Sequence, residues 1–172
     1  MWTPDGKKIV FMSSESGSMQ VWEMNPDGSG LKQVTDIEGG INGFKYSPDM
    51  KKVLYTADVY PEKQFKDLYA DLPKASGKIY TDLMYRHWDT WVQAYSHIFV
   101  ADLTPAKITK GTDILKDEPY ETPLMPFGGM EQINWSPDSK IIAYTCRKKK
   151  GVEYAKSTNS DIYLYDIAGA TT

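Results

Sequence analysis

Tyr46-Ser47-Pro48-Asp49-Met50-Lys51-Lys52-Val53-Leu54-Tyr55 has two close counterparts in the chain. One is Trp2-Thr3-Pro4-Asp5-Gly6-Lys7-Lys8-Ile9-Val10-Phe11, and the other is Trp135-Ser136-Pro137-Asp138-Ser139-Lys140-Ile141-Ile142-Ala143-Tyr144. Each copy reads aromatic, Ser/Thr, Pro, Asp, any residue, Lys, then an apolar run. The prolines Pro4, Pro48 and Pro137 stand 44 and 89 residues apart, and 89 is close to twice 44. Ser-Pro-Asp suits a tight turn: Pro presets φ at the first central position, and Asp bonds its own backbone two residues on. Apolar-rich runs flank the turn, so each copy reads as strand, turn, strand.

The repeat extends outward. Gly39-Gly40-Ile41-Asn42-Gly43-Phe44-Lys45 precedes the second copy, and Gly128-Gly129-Met130-Glu131-Gln132-Ile133-Asn134 precedes the third in the same register. A further strand follows each copy, near 19–24, 96–102 and 160–166. A short fourth strand is expected near 31–35 and 107–109. Four antiparallel strands per ~40–45 residues is the pattern of a propeller blade. A β-sandwich also has turns every ~8–12 residues, but it does not require near-identical turns at a fixed long period. The expected fold is therefore all-β: an incomplete β-propeller of two to three four-stranded antiparallel blades, with a partly helical insertion in the middle blade. The expected boundaries are a blade at 1–38 with a truncated inner strand, a blade at 39–115 with an insertion at 59–95, an inter-blade loop at 116–127, and a blade at 128–172 lacking its outer strand. A closed ring typically needs four to eight blades, so these 172 residues are expected to be part of a domain.

Composition narrows the function. Lys and Arg number 20 against 23 Asp and Glu, which leaves no basic surplus for a nucleic-acid face. No run of ~18 apolar residues marks a membrane span, and the first residues carry no signal-peptide pattern. One cysteine, Cys146, excludes an intramolecular disulfide and any multi-cysteine metal site. It follows an apolar strand and reads as a buried, inert thiol. There is no G-x-S-x-G elbow, and Ser76-Gly77-Lys78 is not a P-loop. His87 and His97 lack a serine or cysteine at a catalytic spacing and lack matching metal ligands. No catalytic residue, metal or cofactor is expected. Arg147-Lys148-Lys149-Lys150 reads as a solvated loop between two strands.

The insertion carries the candidate site. Loops of such length tend to be functional. Its first half, 61–72, reads as a short helix with Pro61 at its start. In its second half, Met84, Trp88, Trp91, Val92 and Tyr95 fall at helical spacing. The same stretch runs into the strand at His97, so it reads equally as that strand's hairpin partner. One reading packs these aromatics on the blade and leaves Arg86, His87 and Asp89 solvated. The other leans the segment over the propeller mouth, where aromatics beside an acid and a base suit peptide recognition.

These residues carry a family resemblance. The three turn units with their following strands look like TolB-type propeller repeats. Tyr80-Thr81-Asp82-Leu83-Met84-Tyr85-Arg86-His87-Trp88-Asp89-Thr90-Trp91, followed by Ser96-His97-Ile98-Phe99-Val100, resembles the propeller of prolyl-oligopeptidase-family serine peptidases, in the dipeptidyl-peptidase and acylaminoacyl-peptidase branch. Gly128-Gly129-Met130-Glu131 before Trp135 looks like the same branch. The resemblance implies a non-catalytic segment of a gating and docking propeller, with further blades and a C-terminal α/β-hydrolase domain elsewhere in a parent enzyme. It also implies a peptide substrate and a periplasmic or secreted address. Candidate substrate-binding residues are Arg86, His87, Trp88, Asp89, Trp91 and Glu131. A carboxylate near the channel pairs with a peptide ammonium. The position matching Glu131 in the preceding unit is Asn42, so blade packing does not demand an acid there. The alternative is a TolB-like propeller that binds other proteins and has no peptidase domain; its short, even blades would have no use for the insertion.

Overall fold

In the computed structural model every residue except Pro61 and Met84 is described. Three antiparallel sheets follow one another along the chain. The first holds β1 (Ile9–Ser13), β2 (Gln20–Met24) and β3 (Lys32–Gln33) in that order. The middle sheet is β4 (Gly43–Tyr46), β5 (Lys52–Val59), β8 (Tyr95–Asp102) and β9 (Thr112–Asp113). Between β5 and β8 lie α1 (Phe65–Leu68) and a separate two-stranded ladder, β6 (Arg86–His87) with β7 (Thr90–Trp91). The third sheet is β10 (Ile133–Trp135), β11 (Ile141–Cys146) and β12 (Asp161–Asp166), with α2 (Gly151–Lys156) between the last two. The chain is mostly sheet, as the repeat implies. The middle sheet has four strands and each flanking sheet three; single bridges from Trp2 to Ile9 and from Asp166 to Thr171 lie just beyond them.

The repeated turn has one hydrogen-bond pattern. In the middle copy the Ser47 hydroxyl donates to Asp49 Oδ1 at 2.7 Å and accepts from the Lys52 amide at 2.9 Å. In the other copies Thr3 and Ser136 donate to Asp5 and Asp138 at 2.7 and 2.6 Å and accept from the amides of Lys8 and Ile141. All three aspartates are held below the usual carboxylate range, chiefly by that hydroxyl and then by a backbone N–H two residues on. The variable residue is in the left-handed region each time: Gly6 at φ 70°, Met50 at 59° and Ser139 at 64°. Glycine enters this region freely, whereas Met50 and Ser139 carry strain.

Because strand side chains alternate, the turn's register decides which face each residue meets. Val53 and Tyr55 join Val10, Val21, Phe44 and Ile108 in the core between the first and middle sheets. Leu54 joins Ile98, Val100, Ile133, Ile142 and Tyr144 in the core between the middle and third sheets. Both faces of the middle sheet are thus buried. The sheets are also tied by polar bonds: the Trp135 indole N–H donates to the Lys45 carbonyl at 3.1 Å, and the Asp49 amide to Ser139 Oγ at 3.1 Å.

Three expectations change. The outermost strand of the middle sheet is Thr112–Asp113 and not 107–109. Ile108 instead exchanges backbone bonds with the first sheet, donating to Val34 and accepting from Asp36, so 107–109 ties two sheets together. The described residues 85–94 form neither a helix nor the partner of β8, whose partners are β5 and β9. The segment folds on itself, because Trp88 at φ 51° turns the chain and Tyr80, Tyr85 and Trp91 stack on one another. Helix α1 is shorter than expected and begins after Gln64, whose amide is capped by Asp67 at 2.9 Å. The expected proline at its start and the first aliphatic of the helical spacing, Pro61 and Met84, lie outside the described residues.

Two outcomes follow. Ser47 is fully buried, so Ser47→Ala strands the Lys52 amide and should lower the unfolding free energy by about 1–2 kcal/mol in urea titration. Ile162 and Leu164 on β12 are 74% and 58% exposed. Produced as these 172 residues alone, the chain should self-associate through that face. Ile162→Glu with Leu164→Glu should move its sedimentation toward the monomer.

Candidate functional site

A cleft of about 670 Å³ opens between the β6–β7 hairpin and the loop at 121–130, floored by the ends of the middle sheet. It brings together four of the six candidates: His87, Trp88, Asp89 and Trp91. A second hollow of about 760 Å³ lies beside α1 against Phe65 and Tyr69 and gathers none of them.

His87, on β6, is buried, and its Nε2 lies 3.2 Å from Glu121 Oε1. Glu121 is only 4% exposed. The Tyr154 hydroxyl, from α2, donates to the same oxygen. Burial raises the Tyr154 hydroxyl's pKa far above the ordinary tyrosine value, and the Glu121 charge raises it further. Arg147 lies over the Tyr154 ring, 4.5 Å from its centroid. Lys148 is ion-paired to Glu118 at 2.7 Å and lies 4.7 Å from the Tyr163 ring centroid. The basic run is therefore partly packed rather than a free solvated loop.

Trp88 and Asp89 form the hairpin turn. Trp88 is 75% exposed and meets Phe127, itself 74% exposed, edge-to-face at 4.8 Å. This contact spans the two walls at the mouth of the cleft. Asp89 is exposed, and among the described residues its Oδ1 accepts just a long 3.4 Å bond from Thr90 Oγ. Trp91 is sandwiched in the aromatic stack, with the Arg86 guanidinium 4.9 Å from its ring centroid.

The other two candidates stand apart. Arg86 does not line the cleft; it braces Trp91. Glu131 is exposed on the 3-10 turn Met130–Gln132, where its carboxylate accepts from the Gly129 amide at 2.8 Å. Its neighbours Gly129 and Met130 reach the cleft, and Glu131 itself does not. Its charge acts on Lys45, whose ammonium pKa is lowered by burial and partly restored by Glu131.

The cleft carries three carboxylates, Asp58, Asp89 and Glu121, and no Lys or Arg among the described residues lining it. Asp58 Oδ1 accepts from the Asn42 side chain at 2.7 Å. A concave surface of one sign focuses its field and attracts the opposite charge. Sequence reasoning did not reach Asp58, Glu121, Phe127 or Tyr154. The one available signal was the acid in Glu121-Thr122-Pro123, inside a loop with no periodicity. Among the described residues no group of three His, Cys, Asp or Glu is placed to hold a metal ion, and no helix is long and apolar enough to cross a membrane.

No protein-family model matches the chain. It is 54% identical to dipeptidyl-peptidase 5 of Porphyromonas gingivalis and 48% identical to that of Porphyromonas endodontalis, over 99% of its length and 25% of theirs. The chain thus spans about a quarter of the length of the curated relatives it matches. Among solved structures it is similar to acylaminoacyl peptidase of Pyrococcus horikoshii, with TM-score 0.54 and 18% identity over 95% of this chain and 22% of that one. It is also similar to TolB of Acinetobacter baumannii, with TM-score 0.51 and 19% identity over 98% of this chain and 29% of that one. These structures show the fold, a TolB-like propeller arrangement. The similarity to the dipeptidyl-peptidases extends over 99% of the chain, and its fold is propeller-like.

Cys146 is fully buried, its thiol donates to the Glu121 carbonyl at 3.5 Å, and burial pushes its pKa up to about 12. Reaction needs the thiolate. At pH 8 the native chain should resist iodoacetamide and be alkylated at least about tenfold faster in denaturant, read by mass spectrometry.

Proposed function

We propose that this chain is the substrate-gating and docking part of a propeller in a serine exopeptidase of the dipeptidyl-peptidase 5 kind, which releases dipeptides from oligopeptides. Peptide-bond hydrolysis would belong to a C-terminal α/β-hydrolase domain of the parent enzyme. The observation that carries this reading is the cleft: three carboxylates, no Lys or Arg among its described residues, and a rim of Trp88, Trp91 and Phe127. An exopeptidase acting from the amino end must distinguish a free ammonium from an internal amide. A carboxylate that sheds its water as the substrate covers it does so through a charge-assisted hydrogen bond, and apolar side chains beside it gain from burial against aromatic rings. Asp89 is the least engaged of the three acids and is assigned the ammonium contact. Trp88 and Trp91 form the rim, with Arg86 behind Trp91 and His87 anchoring the hairpin. Glu131 supports the turn at Gly129 beside the cleft.

In this reading the blades run 1–38, 39–115 and 128–172, joined by 116–127, with residues 59–95 as the insertion. They are two to three four-stranded blades of a larger ring, and the address is periplasmic or secreted, as the resemblance implies. The TolB likeness is one of fold, and a propeller that only binds proteins has no use for an acidic cleft under an insertion.

The test is steady-state kinetics on the full-length protein. Asp89→Asn and Trp88→Ala should each raise KM for dipeptide release about tenfold while kcat stays within about twofold, the pattern of lost uniform binding. Unchanged KM in both variants would remove the docking role.

A further inference from the structure

We infer that Glu121 is a positioning residue: a buried cross-brace that holds the β6–β7 hairpin at the height where Trp88 meets Phe127 over the cleft. Its effect on substrate affinity rests on the function proposed above; its effect on the hairpin does not.

The argument starts from the hairpin's own resources. Its ladder pairs Arg86 with Trp91 and His87 with Thr90, and one further backbone bond, from the Val92 amide to the Tyr85 carbonyl, continues it. A ladder this short is not stable alone in water. Trp88 adds strain at φ 51°, in a region that large side chains rarely adopt. The turn is therefore held from outside, and the buried contact on the ladder itself is His87 with Glu121. The two residues are 34 positions apart in the chain.

Glu121 is itself held from a third direction. Its Oε1 accepts from the Tyr154 hydroxyl on α2, and its carbonyl accepts from Cys146 Sγ on β11. Tyr154 in turn lies against the Arg147 guanidinium. The brace thus joins the insertion, the 121–130 loop and the third sheet. The two aromatics at the mouth sit on the braced segments: Trp88 follows His87, and Phe127 lies on the loop that begins at Glu121. Losing the His87–Glu121 contact leaves the exposed Trp88–Phe127 contact to join the two walls of the cleft.

One detail makes the brace testable. His87 Nε2 and the Tyr154 hydroxyl both meet the same oxygen, Oε1. A glutamine carbonyl oxygen supplies that acceptor without the charge. Glu121→Gln should therefore preserve the brace, and Glu121→Ala should remove it.

The experiment is amide hydrogen exchange across residues 85–92 in the full-length protein, with peptide kinetics on the same samples. Glu121→Ala should speed exchange in this segment about tenfold, the scale of one lost buried hydrogen bond to a charged acceptor. Glu121→Gln should stay within about twofold of the parent. KM should rise in Glu121→Ala and recover in Glu121→Gln, with kcat little changed. Tyr154→Phe, which deletes one donor and keeps the ring, is the second variant should Glu121→Ala fail to fold; it should speed exchange several-fold. Unchanged exchange in Glu121→Ala or, failing that variant, in Tyr154→Phe overturns the brace whatever KM does. Equal acceleration in the alanine and glutamine variants also overturns it, because the shared-acceptor geometry would then be irrelevant. Faster exchange in the alanine variant alone with unchanged KM supports the brace and counts against the docking function.

Discussion

A hydroxyl shared between a carboxylate and a strand amide sets the register of all three sheets. Thr3, Ser47 and Ser136 each donate to the aspartate two residues on and accept from the first amide or amides of the returning strand. One residue of slippage would turn every side chain of that strand to the opposite face. The middle sheet has no solvent face to absorb such an error, since Val53 and Tyr55 bury against the first sheet and Leu54 against the third. The turn therefore governs packing between sheets as well as within them. That accounts for the same residue types appearing at all three turns while the position after Asp varies among Gly6, Met50 and Ser139.

The scaffold also creates a place for an irregular segment. Residues 60–94 join β5 to β8 between the paired ends Val59 and Tyr95. Little of that stretch is regular, so its position depends on what it touches. Two of its contacts matter most for the cleft. The outer part is an aromatic stack of Tyr80, Tyr85 and Trp91. The inner part is a buried polar contact from His87 to Glu121. A buried carboxylate without partners is costly, and one with several rigidifies its surroundings. Glu121 has partners from two sides, and the cleft lies against them.

The legibility of the molecule differs sharply between these two parts. The strands, the turns and their order were readable because local periodicity and turn chemistry act within a few residues. The errors fell where a local pattern was overruled from afar. Residues 107–109 look like an outer strand, yet Ile108 gives its backbone bonds to Val34 and Asp36 of the first sheet. Residues 83–95 carry helical spacing, yet the aromatics satisfy themselves by stacking across a turn. Of the candidate residues, the consecutive run His87, Trp88 and Asp89 lines the cleft with Trp91, because all four ride on one hairpin. Glu131 reads as an acid near the channel, yet it stands on the 3-10 turn Met130–Gln132, and its counterpart Asn42 lines the cleft while Glu131 does not.

The sequence by itself determined that the chain is a run of antiparallel sheets in the manner of TolB-like propellers, and it singled out the insertion as the unusual part. Both conclusions rest on short-range rules: a proline's fixed φ, an aspartate's reach to its own backbone, and the alternation of a strand. Only the tertiary structure decided which acids face a common space and which aromatic closes it. Glu121 reaches His87 across 34 positions and Tyr154 across 33. No periodicity links residues so far apart. Their meeting follows from how the third sheet packs on the middle one, and that packing is a property of the assembled core.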